Sequence, residues 1–484
     1  MKTTSTFPRL AALAAALALA GCANMGGIAP QSALRSAESV GLGAAPAGSA
    51  FRVGDAWWRE FGDQQLDALI AQALAGHPSL QLAQARLARA QAAAEGARAN
   101  GEPQVNGNAS ATRQHFTENG LYPPPIAGSN RTTADLGVSG SWELDFFGRH
   151  QAALAAALGA SRAAEADTQA ARVLLASNVA RAYLQLARAN DQLAVAQRTL
   201  AQREESLRLV GDRVRAGLDT NLELRQSEGA LPETRQQIEA LREQAALAQH
   251  ALAALTGQGN REVVTTQPSL ARLKALPLPA QLPSDLLGQR ADVVAARWRV
   301  EAAGQDVRGA KAQFYPSVNI VGLVGLSSFG LNKLLDLGST QWSLGPAVHL
   351  PIFDAGRLRA NLRGKTADLD AAIESYNAAV LDAIRDTADQ VASAQSIARQ
   401  QAQQRDAQAS AEAAYELARQ RYRAGLGTYL HVLTAETAVL NQRRLAVDLA
   451  ARAADTQVGL ARALGGGARP DPAPAAAVAA STSK

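Results

Sequence analysis

The sequence predicts a mainly α-helical protein with a small β part, built as two tandem structural repeats, and three observations predict it. The first is a heptad seam. Val179, Leu186, Leu193, Leu200, Leu207 and Val214 fall seven residues apart, Ala182, Ala189, Ala196 and Val210 lie three residues further on, and no Pro interrupts them. The second is a copy. Arg423-Ala424-Gly425-Leu426-Gly427-Thr428-Tyr429-Leu430 repeats Arg215-Ala216-Gly217-Leu218-Asp219-Thr220-Asn221-Leu222, and the same offset carries Gly148-Arg149 onto Gly356-Arg357. The third is a change of period between the helical stretches, where apolar and polar residues alternate along the chain.

Composition agrees. The chain has 484 residues, 4% aromatics and heavy Ala use, which suits packed helices better than several globular cores. Its net charge is +5, with Arg and Glu interspersed and no basic block of the kind that binds nucleic acid.

At the N-terminus, Lys2 and Arg9 precede an apolar run, Leu10 to Ala20, that is too short to span a bilayer. It reads as an export signal over 1–21. Leu19-Ala20-Gly21-Cys22 resembles the bacterial lipobox, which implies a diacylglycerol thioether and an N-acyl chain on Cys22 and no other cofactor. Cys22 is the only Cys, so no intramolecular disulfide is possible, and a lipid gives the thiol a use. Residues 22–50 are rich in Gly, Ala, Ser and Pro without periodicity and read as an extended, lipidated tether.

The first repeat is assigned to 51–256. It opens at Trp57-Trp58 and continues through helical spacings interrupted at His77-Pro78. A strand hairpin is expected over about 104–146. Leu136, Val138, Trp142, Leu144 and Phe146 lie on one face, and Asp135, Ser139, Ser141, Glu143 and Asp145 on the other. Arg149 to Ala216 then runs helical for about 100 Å at 1.5 Å per residue. The helical hairpin turns at 215–222, with Pro232 inside the returning helix to bend it or delay its start.

A crossover over 257–283 carries Gly, Thr and several Pro. The second repeat, 284–464, restarts after Ser284-Asp285, plausible N-caps. It has its own strand hairpin over about 317–352, with Trp342, Leu344, Val348, Leu350 and Ile352 alternating, and a helical hairpin turning at 423–430. The tail, 465–484, reads as disordered.

Strands of about ten residues with one apolar face match a bilayer crossing. Four strands close no barrel, two chains supply about eight and a filled interior, and three supply about twelve and an opening. The expected assembly is a homotrimer. In it a 12-stranded transmembrane β-barrel passes directly into a helical cylinder at Gly148-Arg149 and Gly356-Arg357.

These segments resemble the TolC-like outer-membrane efflux factors, in the lipidated NodT/OprM-like branch that serves resistance-nodulation-division (RND) pumps. The carrying residues are Cys22, Trp57-Trp58 through Asp63, Trp142-Glu143-Leu144-Asp145 with Gly148-Arg149, and the two Arg-Ala-Gly-Leu turns. Leu282-Pro283-Ser284-Asp285-Leu286-Leu287, Arg290-Ala291-Asp292-Val293 and Phe314-Tyr315-Pro316 complete the set. The resemblance implies a channel-tunnel in outer-membrane lipid, with an α-barrel reaching through the periplasm to a periplasmic adaptor and an inner-membrane RND transporter. It implies export of drugs and other small toxic compounds, and no catalysis.

By the same resemblance Arg215, Gly217, Asp219, Thr220, Arg423, Gly425, Gly427 and Thr428 form the periplasmic tip, its gate and its adaptor contact. Gly427 stands where relatives often carry an acid, and Ala291 where they usually have Pro. The turns also have a plain capping logic, with Gly217 and Gly425 ending helices and Arg215 and Arg423 at helix C-termini.

Catalytic and metal sites are not expected. The six His, at 77, 115, 150, 250, 349 and 431, share no ligand spacing, and no Walker A, G-x-S-x-G or dinucleotide motif occurs. Two alternatives are a type I protein-secretion channel of the same fold and a non-channel periplasmic coiled-coil adaptor.

Overall fold

The computed structural model describes residues 25–35, 38–40, 53–259, 267–276 and 289–470. The signal, Cys22, the Leu282 to Leu287 segment with its Ser284-Asp285 caps, and the tail beyond 470 lie outside the described residues.

In chain order the elements are α1 (Gln64–Gly76), α2 (Pro78–Ala99), β1 (Gln104–His115), β2 (Asn130–Leu144), α3 (Arg149–Arg215) and α4 (Asn221–Leu255). After the crossover come α5 (Ala291–Ala312), β3 (Ser317–Phe329), β4 (Thr340–His349), α6 (Arg357–Arg423) and α7 (Tyr429–Ala463). The duplication is visible in the boundaries. α3 and α6 are both 67 residues long, α4 and α7 both 35, and each start and end is displaced by 208 (149 to 357, 215 to 423, 221 to 429, 255 to 463).

The predicted seam is the packing surface. Val179, Leu186, Ala189, Ala196 and Val210 are buried, and Leu193 and Leu200 pack on Ile238 and Leu241 of α4. Small residues let α5 approach α3 closely, since a Cβ on Gly159 would sit 3.2 Å from that of Ala302. α4 begins at its Thr220 cap and runs through Pro232, so the proline does not delay it.

In the half of the rod next to the strands, α3 lies between α2 and α5, and α5 lies between α3 and α6. In the far half, α3 lies between α4 and α7, and α7 lies between α3 and α6. Near the middle, Trp57, Trp58 and Phe61 plug the core beside Tyr183, whose hydroxyl donates to Asp63 at 2.6 Å. Asp63 also caps α1 through the Gln65 and Leu66 amides.

The strands form one antiparallel sheet in the order β1-β2-β3-β4. Its register puts Leu136 opposite Leu326, Val138 opposite Val324, Trp142 opposite Ile320 and Leu144 opposite Val318. Val324 then faces Trp342, and Val318 faces Val348. Directly opposed residues share a face, so one side of the sheet is a continuous apolar surface carrying the predicted set. Three members of that set fall outside the strands. Phe146 lies in the joint to α3, where the chain folds back with its amide on the Leu144 carbonyl at 3.0 Å. Leu350 and Ile352 follow the end of β4, because Pro351 between them supplies no ladder donor and restricts the residue before it.

The tether expectation is corrected for residues 25–35. Met25, Ile28 and Leu34 pack on a core of Val300, Val307, Leu358 and Leu362. Asp370 accepts from the Gln31 and Ser32 amides at 2.9 and 3.0 Å. Asn377 accepts from the Arg35 amide and donates to the Ala33 carbonyl, both at 3.0 Å. Side chains of α6 therefore bond the backbone of a segment that forms no helix or strand of its own.

The tail expectation is likewise corrected for 465–470. Gly465, Gly466 and Gly467 all have positive φ, and a Cβ on each would come within 2.3 Å of Gln289, Val173 and Gly54 respectively. Composition read them as flexible, whereas the tertiary structure uses them for close approach. The crossover residues 267–276 bridge α3 and α7, through Asp191 to the Leu270 amide and Gln457 to the Leu276 amide.

Candidate functional site

Two regions carry the predicted site residues, the joint between strands and rods and the tip of the rods. At the joint the expected direct passage is corrected: four residues, 145–148, connect β2 to α3 and seven, 350–356, connect β4 to α6, with Gly148 (φ +75) and Gly356 (φ +87) turning the chain into each helix. Asp145 accepts the Gln151 amide at 2.8 Å, and Asp354 accepts those of Gly356 and Leu358 at 3.0 and 2.8 Å. Each carboxylate satisfies the first amides of a 67-residue helix and complements its dipole. Phe147 stacks on Tyr315 with ring centroids 4.7 Å apart. The joint is therefore stiff.

At the tip both hairpins turn in the same way. The Leu218 amide donates to the Arg213 carbonyl at 2.9 Å and the Gly217 amide to that of Val214 at 3.0 Å. Leu426 and Gly425 make the same bonds to Arg421 and Tyr422 at 2.8 and 3.0 Å. This is the Schellman pattern, with Gly217 and Gly425 both at φ +71. Thr220 and Glu223 form a capping box at the start of α4. Thr428 occupies the same position before α7 but caps no backbone amide; its Oγ1 lies 3.4 Å from Nδ1 of His431, which stands where Glu223 does.

The side chains break this symmetry. Asp219 accepts from Arg213 Nε and Nη2 at 2.9 and 3.3 Å, and also from the Tyr422 hydroxyl of the other hairpin. Burial acts to raise the Asp219 pKa, but the bonds from Arg213 and Tyr422 outweigh it and hold the carboxyl below its ordinary value. Burial and the Asp219 bond together push the Tyr422 phenol up. Gly427, the counterpart of Asp219, is not in the left-handed region and contributes no side chain to the link. Arg423 reaches Glu205 of α3 at 2.7 Å, while Arg215 is exposed and pairs with Asp212 of its own helix. Leu218, Leu222, Leu426 and Leu430 are exposed at the turns.

A second link lies deeper. Arg203 Nε donates to Glu436 Oε2 at 3.1 Å, with side-chain exposures of 11% and 6%. Its Nη1 donates to the Ala230 carbonyl at 2.9 Å and to Thr234 Oγ1 at 2.8 Å. One guanidinium thus ties α3, α4 and α7 together. Burial raises the Glu436 pKa against the opposing pull of Arg203.

The sequence reading missed this pair, as well as Arg213, Glu205 and Tyr422. A signal was present for some of them. Arg203 occupies the seam position between Ala196 and Val210, and Tyr415, Tyr422 and Tyr429 are themselves a heptad series, buried with Val210, Val432 and Val439.

A family profile described as Outer membrane efflux protein matches residues 69–258 and 282–466, two segments that each hold one helical hairpin. The chain belongs to the outer membrane efflux protein family. This efflux protein is 40% identical to the fusaric acid resistance protein FusA of Burkholderia cepacia over 374 residues, 74% of this chain and 69% of that one.

Among solved structures, the outer membrane protein VceC from Vibrio cholerae aligns with a TM-score of 0.81 and 35% identity. The alignment covers 86% of the present efflux protein and 99% of VceC. The outer-membrane channel OprN aligns with a TM-score of 0.81 and 30% identity, over 91% and 98% of the two chains. Among the described residues, no helix of the efflux protein is long and apolar enough to cross a membrane. No group of three or more His, Cys, Asp or Glu among them could hold a metal ion.

Proposed function

We propose that three copies of this chain close into a conduit through the outer membrane. Through it an RND-type tripartite pump exports drugs and other small toxic compounds, and the chain itself catalyses no reaction. One observation carries the reading: every layer of the protomer ends in two open edges, and the edges coincide. The sheet is open at β1 and β4, the near helical layer at α2 and α6, and the far layer at α4 and α6. Cyclic association sets the β4/α6 edge of one copy against the β1, α2 and α4 edge of the next, pairing every edge at once. The apolar face of the sheet then meets lipid, with Trp342, Leu344 and Val348 exposed for that purpose, and the polar face lines the interior. The naming of FusA for fusaric acid resistance and of OprN as a channel supports the same reading.

In this assembly the tip is both gate and docking surface. Asp219, Arg213 and Tyr422 hold the two hairpins together, and opening the pipe requires them to part. The four exposed leucines of the turns offer the apolar contact for a periplasmic adaptor. Lipidation at Cys22 fits the docked segment, since Met25, three residues on, lies against the strand-proximal part of α6. An acyl chain there would enter the leaflet that the barrel already crosses.

The test is purification in mild detergent followed by mass determination and insertion into planar lipid films. Trimers that conduct ions support the proposal; monomers that pass no current refute it. Cys22→Ser should abolish incorporation of labelled palmitate while leaving the trimer in the outer membrane, because the barrel remains.

A further inference from the structure

The polar face of the sheet contains two carboxylates, and they differ in their company. Glu143 is neutralised by Arg149 at 2.8 Å, with His150 at 3.5 Å. Asp135 is held by hydroxyls. Ser110 on β1 and Ser327 on β3 lie directly opposite it on either side, and their Oγ atoms donate at 3.2 and 2.8 Å. Two neighbouring strands thus fix the position of the carboxylate without offsetting its charge.

The cations nearest to it in sequence do not neutralise it. Arg113 lies opposite Thr132, which puts it on the apolar face. Arg131 is on the polar face but four residues further out, about 13 Å along a strand. Its Nε donates to Ser129. That separation exceeds the screening length of about 8 Å at physiological ionic strength.

We propose that Asp135 sets the ion preference of the strand-lined section of the conduit, admitting cations over anions. The inference rests on the trimeric channel reading, which places three copies of Asp135 around one cross-section of the lumen. Low-dielectric walls concentrate the field of fixed charges into the water between them. A potential of about one kT, small for such a cleft, enriches cations over anions about sevenfold. The same field would slow anionic cargo and favour cationic or zwitterionic molecules at this level. The second tip turn contributes no such charge, since Gly427 stands at the position that Asp219 holds in the first turn.

The experiment measures reversal potentials of wild type, Asp135→Asn, Asp135→Glu and Arg113→Gln in planar bilayers under a potassium chloride gradient. Asn keeps hydrogen-bonding groups for both serines, so the charge alone is removed. The potassium-to-chloride permeability ratio should fall at least about threefold in Asp135→Asn at low salt. The difference should shrink toward nothing at 1 M salt, where the screening length is about 3 Å. Asp135→Glu should keep the wild-type ratio, and Arg113→Gln, on the other face, should not move it. Conducting Asp135→Asn channels with an unchanged reversal potential overturn the assignment, as does an equal shift in Arg113→Gln. A wild-type protein that conducts nothing defeats the channel reading itself.

Discussion

Asp219→Asn tests how the two hairpins are held at the tip. The carboxylate and Arg213 have side-chain exposures of only 11% and 14%, so the pair is poorly screened by solvent. Replacing Asp219 removes a two-point charged contact to Arg213 and weakens the Tyr422 hydroxyl's acceptor on the opposite hairpin. Hydrogen bonds to charged groups contribute about 1.5–3 kcal/mol each. Asn retains one carbonyl acceptor, and Arg213 keeps its position 4.7 Å from the centre of the Tyr422 ring. The net loss should be about 2–3 kcal/mol of local stability per protomer.

Amide hydrogen exchange reads that directly, as a fall of about 30- to 150-fold in protection at the last turns of α3 and α6 and the first turns of α4 and α7. Tyr422→Phe, which removes one bond, should lose less, and the double variant should lose less than the sum. Both singles should raise resting conductance. Because the folded Asp219 value is depressed, its stabilisation is present above the ordinary carboxylate value of 3.8 and is lost as pH falls through the lower folded value. Protection within twofold of wild type in Asp219→Asn, or a loss confined to the sheet or α5, would refute the reasoning.

The buried Arg203–Glu436 pair should respond asymmetrically. Glu436→Leu leaves a permanently charged, buried guanidinium with only the exposed Glu233 carboxylate at 3.6 Å and costs about 3 kcal/mol, whereas Arg203→Met leaves an acid that burial already favours as neutral and costs less; exchange rates in α7 rank the two. Gly466→Ala at φ +55 meets Val173 Cγ1 and should cost about 2–3 kcal/mol, with Val173→Ala relieving the clash but not the backbone strain of about 1–2 kcal/mol, as thermal unfolding of the trimer would report. Leu344→Arg, midway along β4 on the apolar face, should destabilise the bilayer-inserted form by about 2–4 kcal/mol. Ser343→Arg, on the opposite face, should be tolerated; refolding into vesicles separates the two.

What the sequence determined by itself follows from periodicity and duplication, which are local. The heptad seam specifies the first 67-residue rod, the constant offset specifies the second and where both hairpins turn, and period-two alternation specifies which strand residues share the apolar face. The limits of that signal are local too. Phe146, Leu350 and Ile352 continue the alternation past the strand ends, and only the helix cap at Asp145 and the proline at 351 stop the ladder.

The tertiary structure decided what composition misreads. Gly465 to Gly467 and the Ala- and Gly-rich residues 25–35 look unstructured because their partners, Val173, Gln289, Asp370 and Asn377, lie more than a hundred residues away. The charged links were hidden for the same reason. Arg203 and Glu436 are separated by 233 positions, and Asp219 and Tyr422 by 203. A seam pattern records that a side chain faces inward, but not what it meets. Pairing across the duplicated halves is fixed by the register at which two rods of equal length pack, and no window of neighbouring residues contains it.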